Sequence, residues 1–494
     1  MLKINSSAIR SLFQNRTFSI SVLLTAITLF LSSCAAVGPD YAPVEPMAPE
    51  NWQAKLQGGL LVEQTDPDDL AHWWTVLKDP QLVALEKRAV KGNLDLKEGQ
   101  SRIREARALR GISRAEFSPT LDTDAAATKS RSSGNSGTSA ERELYSVGFD
   151  ASWELDVFGG VKRSVEAAQA SLEATQENLH NLQVSLMAEV ALNYVEVRTY
   201  QSLLDVSRAN IKVQLESYEL NDSRYQAGII GELAVQESLR ILESTRSLVP
   251  ALETGLDAAR NRLAILLGER PGSLHEELAI TRPLPSLPIN VAVGIPAETL
   301  RRRPDVRRAE RNLAAQTARI GAATADLYPK FRLFGTLGLE SLNAGDLFQT
   351  ASKTWGLGPG VSWNLFDAGA IRQNIQVQNE RQEQALIQYE GTVLNALEEV
   401  ENALVSYAKE QLRRDFITKA SVAAERAAEL AQDQYQAGLV SFNNVLDAQR
   451  SLLALRDELV RSDGTVIANL VRLYKALGGG WIPITTIKKP EETP

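Results

Sequence analysis

Cys34 is the only cysteine in a chain of 494 residues, and the three histidines, His72, His180 and His275, are too scattered to suggest a shared metal. No grouping of serine, histidine and acid suggests nucleophilic catalysis, so no enzymatic activity is expected. "GLGPG" (Gly356 to Gly360) has the glycine content of a phosphate loop, but it lies inside an alternating apolar stretch and opens no helix. "RRRPDVRR" (Arg301 to Arg308) has the charge to meet a polyanion, yet Pro304 suits a helix start. The chain as a whole carries 53 Lys and Arg against 61 Asp and Glu, which argues against nucleic acid as a partner. Two kinds of chemistry remain. One is covalent, at Cys34; the other is electrostatic, at Asp447, which stands three residues before Arg450 as Glu237 stands before Arg240. On a helix that spacing also allows simple pairing, so a local role for Asp447 stays open.

The elements around Cys34 say what its chemistry is. Lys3, Arg10 and Arg16 precede an uncharged run from Thr17 to Leu31, the order of a secretory signal. In "LSSC" (Leu31 to Cys34) an aliphatic residue and two small ones precede the cysteine, which resembles a bacterial lipoprotein processing box. An uncleaved membrane anchor with a stray thiol is the alternative. A lipidated Cys34 would be the first residue of the mature chain, carrying a covalent lipid and leaving no thiol for a disulfide, a metal or a nucleophile; no other cofactor is expected. At about 0.8 kcal/mol per buried CH₂, several acyl chains hold a protein on a membrane where one does not. Among lipoproteins of this kind an Asp after the cysteine signals inner-membrane retention; Ala35 stands here, which implies the outer membrane. Loss of residues 1–33 takes the formal charge from −8 to −11, because it removes three cations and no acid. No later run of about 20 apolar residues exists, so any crossing of a membrane must use β-strands.

The chain repeats itself at a shift of 210 residues: Ser152, Trp153, Leu155 and Gly159 fall on Ser362, Trp363, Leu365 and Gly369, and "RYQAGII" falls on "QYQAGLV". The expected organisation is a signal peptide (1–33), a lipid-anchored extended segment (34–78), a first repeat (79–268), a Pro-rich connector (269–297), a second repeat (298–478) and a tail (479–494). Each repeat reads as helix, two strands, very long helix, turn and returning helix. Tyr145, Val147, Phe149, Ala151, Trp153 and Leu155 alternate with small or polar residues, as do Trp355, Leu357, Pro359, Val361, Trp363 and Leu365. Such a strand has about the length that crosses a bilayer at a tilt. Its partner is clear in the second repeat (Phe331, Leu333, Leu337, Leu339) and weak in the first (Leu121 to Ala127), where "TKSRSSGNSGTSAERE" reads as an exposed loop. A soluble hairpin with one buried face is the competing assignment. From Val161 to Ala227 run 67 residues without Gly or Pro, with an apolar stripe at Leu179, Leu182, Leu186, Val190, Tyr194 and Val197. That predicts a helix about 100 Å long. The 39 residues of Ile229 to Leu267, with a kink expected near Pro250, and the 28 of Glu298 to Ala325 together match those 67, as two helices stacked against one. Four membrane strands cannot close a barrel, so chains must pool them, giving 8, 12 or 16 strands for two, three or four copies.

The lipoprotein box followed by "VGPDYAP", "DPQLVALEKRAVKGNLDL", "FDASWELDVFGGVKRSVEAA", "RRRPDVRRAERNLAAQTARIGAATADLYP" and "YQAGLVSFNNVLDAQRSLL" together resemble the outer membrane efflux lipoproteins of the TolC-like, OprM/NodT-type family. The resemblance covers essentially the whole mature chain. It implies a mainly α fold with membrane β: a homotrimer whose twelve-stranded outer-membrane β-barrel continues into a periplasmic α-helical barrel. It also implies the exit duct of a tripartite efflux pump for drugs or other small compounds. The expected partners are a periplasmic adaptor (membrane fusion) protein, an inner-membrane transporter of the resistance-nodulation-division type, and outer-membrane lipid. The resemblance further places Ala227, Gly228, Ile229, Ala437, Gly438 and Leu439 at hairpin tips that meet the adaptor, although these residues also suit a plain turn. Asp447 matches an acidic ring at the periplasmic constriction, with Asn443, Asn444 and Tyr435 as further gate candidates. Where some family members carry an acidic residue that links subunits, Ala234 stands here, so any lock must be built differently. A lipid-anchored periplasmic coiled-coil scaffold, or the same duct used for protein secretion or metal-ion export, are the alternatives.

Overall fold

The computed structural model describes residues 36–45, 48–63, 66–136 and 140–481; Cys34 lies outside them. The chain divides into two compact units, one of residues 1–44, 103–174 and 309–389, the other of residues 45–102, 175–308 and 390–494.

The first unit contains a four-stranded antiparallel sheet of β1 (Thr120–Arg131), β2 (Glu141–Leu155), β3 (Lys330–Ser341) and β4 (Lys353–Ser362), hydrogen-bonded in that order. The central pairing sets Phe149 opposite Leu337 and Trp153 opposite Leu333, while β4 sets Trp355 opposite Leu337 and Val361 opposite Phe331. Side chains alternate across a strand, so these residues share one face, and Asp122, Asp124 and Asp150 lie on the other. The apolar face is uncovered: Trp355 is 80% exposed and Leu357 73%.

Two expectations about the strands change. The connection of the first hairpin is shorter than "TKSRSSGNSGTSAERE", because β1 and β2 pair as far as Arg131 and Glu141. Opposite charges make the extension favourable: Lys129 lies 3.0 Å from Glu143 and 3.8 Å from Glu141. In the second hairpin β4 ends at Ser362, so Trp363 and Leu365 lie past the strand. The Trp363 indole donates to the Leu327 carbonyl at 3.0 Å, as Trp153 donates to Phe117 at 2.9 Å.

Helices make up most of the second unit. Asp79 caps α1 (Pro80–Gly92), accepting from the amides of Gln81 and Leu82, and Pro80 opens the first turn where its missing N–H costs nothing. After α2 (Leu94–Ala115), the helix α3 (Gly160–Gln226) is 67 residues long and carries its buried stripe at Leu186, Val190, Tyr194 and Val197, with Leu179 and Leu182 partly buried beside it. The Tyr194 hydroxyl donates to Asp79 at 2.6 Å, tying the stripe to the cap of α1.

The returning segment is broken into α4 (Glu232–Arg246) and α5 (Leu248–Leu266). Pro250 explains the site: it has no N–H to offer the carbonyl four residues back, Arg246, and its ring crowds that carbonyl. Val460 stands 210 residues further on, and there α8 (Phe442–Ala476) runs unbroken after α7 (Ala370–Gln436), another 67-residue helix.

The helix expected over Glu298 to Ala325 is two helices, Pro296–Arg302 and α6 (Pro304–Ala325). Arg303 precedes a proline and is pushed to an extended conformation, φ −63 and ψ 124. Its buried guanidinium bonds Asp305 (2.7 Å), Glu399 (2.6 Å) and the Ala476 carbonyl at the end of α8 (2.7 Å). At the matching break Asn93 donates to the Leu266 carbonyl at the end of α5, 2.9 Å away. Unlike side chains thus satisfy the same kind of orphan helix-end carbonyl.

Candidate functional site

Both long helices end in the same way. After α3 the Gly228 N–H reaches the Tyr225 carbonyl (2.9 Å) and the Ile229 N–H reaches Arg224 (2.9 Å); after α7 Gly438 reaches Tyr435 (3.0 Å) and Leu439 reaches Gln434 (2.9 Å). This is the Schellman arrangement, and it needs a left-handed residue, here Gly228 at φ +70 and Gly438 at φ +73. A Cβ at either glycine would meet nothing within 4 Å, so conformation and not space selects glycine. Ala227, Gly228, Ile229, Ala437, Gly438 and Leu439 are all exposed, Ile229 to 71% and Leu439 to 76%. Two apolar side chains held out at helix ends by well-bonded turns are suited to contact with another protein.

Behind the tips lies a small core of Ile241, Tyr435, Phe442, Val445 and Leu446, with Ala234 and Val440 packed against it. The four gate candidates therefore separate. Tyr435 is buried here: its hydroxyl donates to Asn221 at 3.0 Å, its ring lies 5.2 Å from Phe442, and the Arg224 guanidinium sits 5.1 Å from its centroid. Asn443, Asn444 and Asp447 fall on the exposed face of α8, because Phe442, Val445 and Leu446 take the buried one. Asn444 accepts from the Ser441 hydroxyl at 3.2 Å. Asp447 is 3.7 Å from Arg450 with its side chain 79% exposed, so the local pair exists and leaves the carboxylate facing solvent. Ala234 belongs to the apolar packing, which joins the start of α4 to the end of α7 and the start of α8.

Sequence reading missed Asn221 and Arg224. Asn221 is one of five asparagines in α3 and stands five residues before its end, so residue type alone does not single it out. Its partner in the other hairpin was invisible without the fold.

Among the described residues no helix is long and apolar enough to cross a membrane, and no group of histidine, cysteine and acid is placed to hold a metal.

Comparison with known proteins agrees with this architecture. The family model for outer membrane efflux proteins matches residues 85–269 and 295–479. The solvent efflux pump outer membrane protein SrpC of Pseudomonas putida is 31% identical over 460 residues, 92% of this chain and 97% of that protein. The cation efflux system protein CusC of Escherichia coli O6:H1 is 31% identical with the same coverage. The solved outer-membrane channel OprN superposes with a TM-score of 0.86 at 35% identity, covering 91% of this chain and all of that one. The chain belongs to the outer membrane efflux protein family.

Proposed function

We propose that this chain, lipidated at Cys34, forms a homotrimeric exit duct in the outer membrane, passing small compounds delivered by a periplasmic adaptor and an inner-membrane transporter of the resistance-nodulation-division type. The observation that carries the reading is the sheet: one face apolar and exposed, the other mainly polar residues and glycine with Phe334 among them, and β1 and β4 each with one edge unpaired. In lipid an open edge is intolerable, so other copies must close it; three chains would give twelve strands. The 210-residue recurrence of tips, tryptophan bonds and helix breaks supports two repeats in each chain, and the two 67-residue helices supply the length of a periplasmic helical barrel. Transport through the duct is passive, driven by the inner-membrane transporter. SrpC and CusC, equally identical to this chain, carry the names of solvent and cation efflux; with only Met47 and Met187 beyond the signal, organic cargo is the better fit. Native mass spectrometry from outer membranes in mild detergent tests the assembly: three chains per particle, each beginning at acylated Cys34, is the expected result, and lone chains would return the scaffold reading.

The gate has its own test. Threefold symmetry would gather three Asp447 carboxylates, so Asp447→Ala should lower cation preference in planar bilayers. An unchanged reversal potential would leave Asp447 as the local partner of Arg450 only.

A further inference from the structure

Three stretches far apart in sequence meet at one side chain in the first unit. The Arg163 guanidinium, its side chain only 6% exposed, donates to the carbonyls of Ala36 (3.4 Å), Val37 (3.1 Å) and Gly38 (3.3 Å) and to the carboxylate of Asp40 (2.7 Å). A further donor is held by Glu166 at 2.9 Å. Nε donates to the Val37 carbonyl while the two hydrogens of Nη2 are shared between Asp40 and the more distant Ala36 and Gly38 carbonyls, a planar arrangement that a lysine does not reproduce.

Glycines make the room. A Cβ on Gly321 would lie 2.8 Å from Arg163 Cγ, one on Gly38 (φ +86) 2.4 Å from Gly321 Cα, and one on Gly159 (φ +76) 2.4 Å from Ala36 Cβ. The Val37 N–H donates to the Phe158 carbonyl at 3.0 Å. Further along, the Tyr41 hydroxyl donates to Glu310 at 3.0 Å and that of Tyr389 to the Val44 carbonyl at 3.2 Å. Residues 36–44 are thus bonded along their length.

We propose that Arg163 is the clasp that seats the acylated N-terminus against the first turn of α3, so that the lipid enters the membrane at a fixed depth relative to the sheet. The proposal rests on the reading of Cys34 as the lipidated residue. Cys34 precedes Ala36 by two residues, a reach of at most about 7 Å. Phe158, whose carbonyl receives Val37, stacks on Tyr328 at 4.5 Å and leans on Phe331 at 6.4 Å, where β3 begins. Tyrosine gathers at membrane interfaces, and girdles of aromatic residues flank the apolar band of outer-membrane barrels. Undocked, the nine residues 36–44 would give the lipid about 30 Å of slack, the thickness of the hydrocarbon layer itself. Clasped, the tether becomes a depth stop.

Because lipidation consumes the only cysteine, Pro39→Cys at an exposed position offers a single thiol for a nitroxide in the full-length protein in lipid bilayers. The expected spectrum is immobilised, with collision accessibilities that place the label at the interface. Adding Arg163→Gln or Asp40→Asn should shorten the rotational correlation time severalfold, with Arg163→Lys intermediate. Asp40→Asn keeps the test open if Arg163→Gln does not accumulate, since it leaves the carbonyl bonds in place. Line shapes unchanged in these backgrounds, or a mobile label in the native background on an acylated chain, would overturn the clasp. Mass analysis of the N-terminal peptide separates the two ideas: an unacylated chain with an immobilised label would refute the anchor and leave the clasp standing.

Discussion

Replacing Gly438 by valine is expected to leave the chain folded and inserted while cutting its cross-linking to a periplasmic adaptor at least about tenfold, the factor that roughly 1.4 kcal/mol produces. The strain is local. Gly438 sits at φ +73 with open space around its Cα, so a side chain there meets no neighbour but forces the backbone out of the left-handed region. For ordinary residues that region costs about 1 to 2 kcal/mol, and more for a β-branched one. The Schellman bonds of Gly438 and Leu439 would be lost, and Leu439, 76% exposed, would no longer be held in place. Drug sensitivity of the cells should rise in parallel. Gly228→Val makes the same change at the other tip and asks whether both hairpins dock. Normal cross-linking by a protein that carries both substitutions would reduce the glycines to turn residues and refute the docking assignment.

A second large effect is expected at Glu86, which is fully buried on α1 beside Leu82, Leu85 and Ala89. Among the described residues neither carboxyl oxygen has a hydrogen-bond partner, and burial pushes its pKa well above the usual 4.5. A native state that retains this proton while the unfolded chain releases it loses stability as pH rises from about 4.5 toward the raised value. The slope is up to about 1.4 kcal/mol per pH unit for one proton. Glu86→Gln removes that slope. The apparent melting temperature in detergent, scanned at one rate, should therefore rise over the native protein's at pH 7.5 and converge with it near pH 4.5. Parallel curves for the two proteins would mean that Glu86 finds a compensating contact in the assembled protein.

Much of the helical architecture was legible because length and the absence of Gly and Pro are one-dimensional properties. The 67-residue helix expected at Val161 to Ala227 is found at Gly160–Gln226, and the break near Pro250 follows from a missing N–H that any helix would feel. The weak first strand was harder. Leu121 to Ala127 has little apolar signal, and its extension to Arg131 depends on charges from Glu141 and Glu143 across the hairpin. Pro304 suits a helix start, yet the helix expected over Glu298 to Ala325 runs through it. The break at Arg303 is held by Glu399 and the Ala476 carbonyl, neither of them near in sequence.

The kinds of element, the span of the long helices, the 210-residue recurrence, the alternating faces of the strands and the glycines at the tips can be read from the chain alone. These follow from covalent conformation and from hydrophobic period, which act within a few residues. That β2 pairs with β3, that Tyr435 is buried on Asn221 while Asp447 faces solvent, and that Arg163 gathers the carbonyls of residues 36–38 emerges in the folded molecule alone. Those are contacts between groups distant along the chain. Their existence depends on which surfaces the elements bury together, and that is a property of packing that no local pattern of residues encodes.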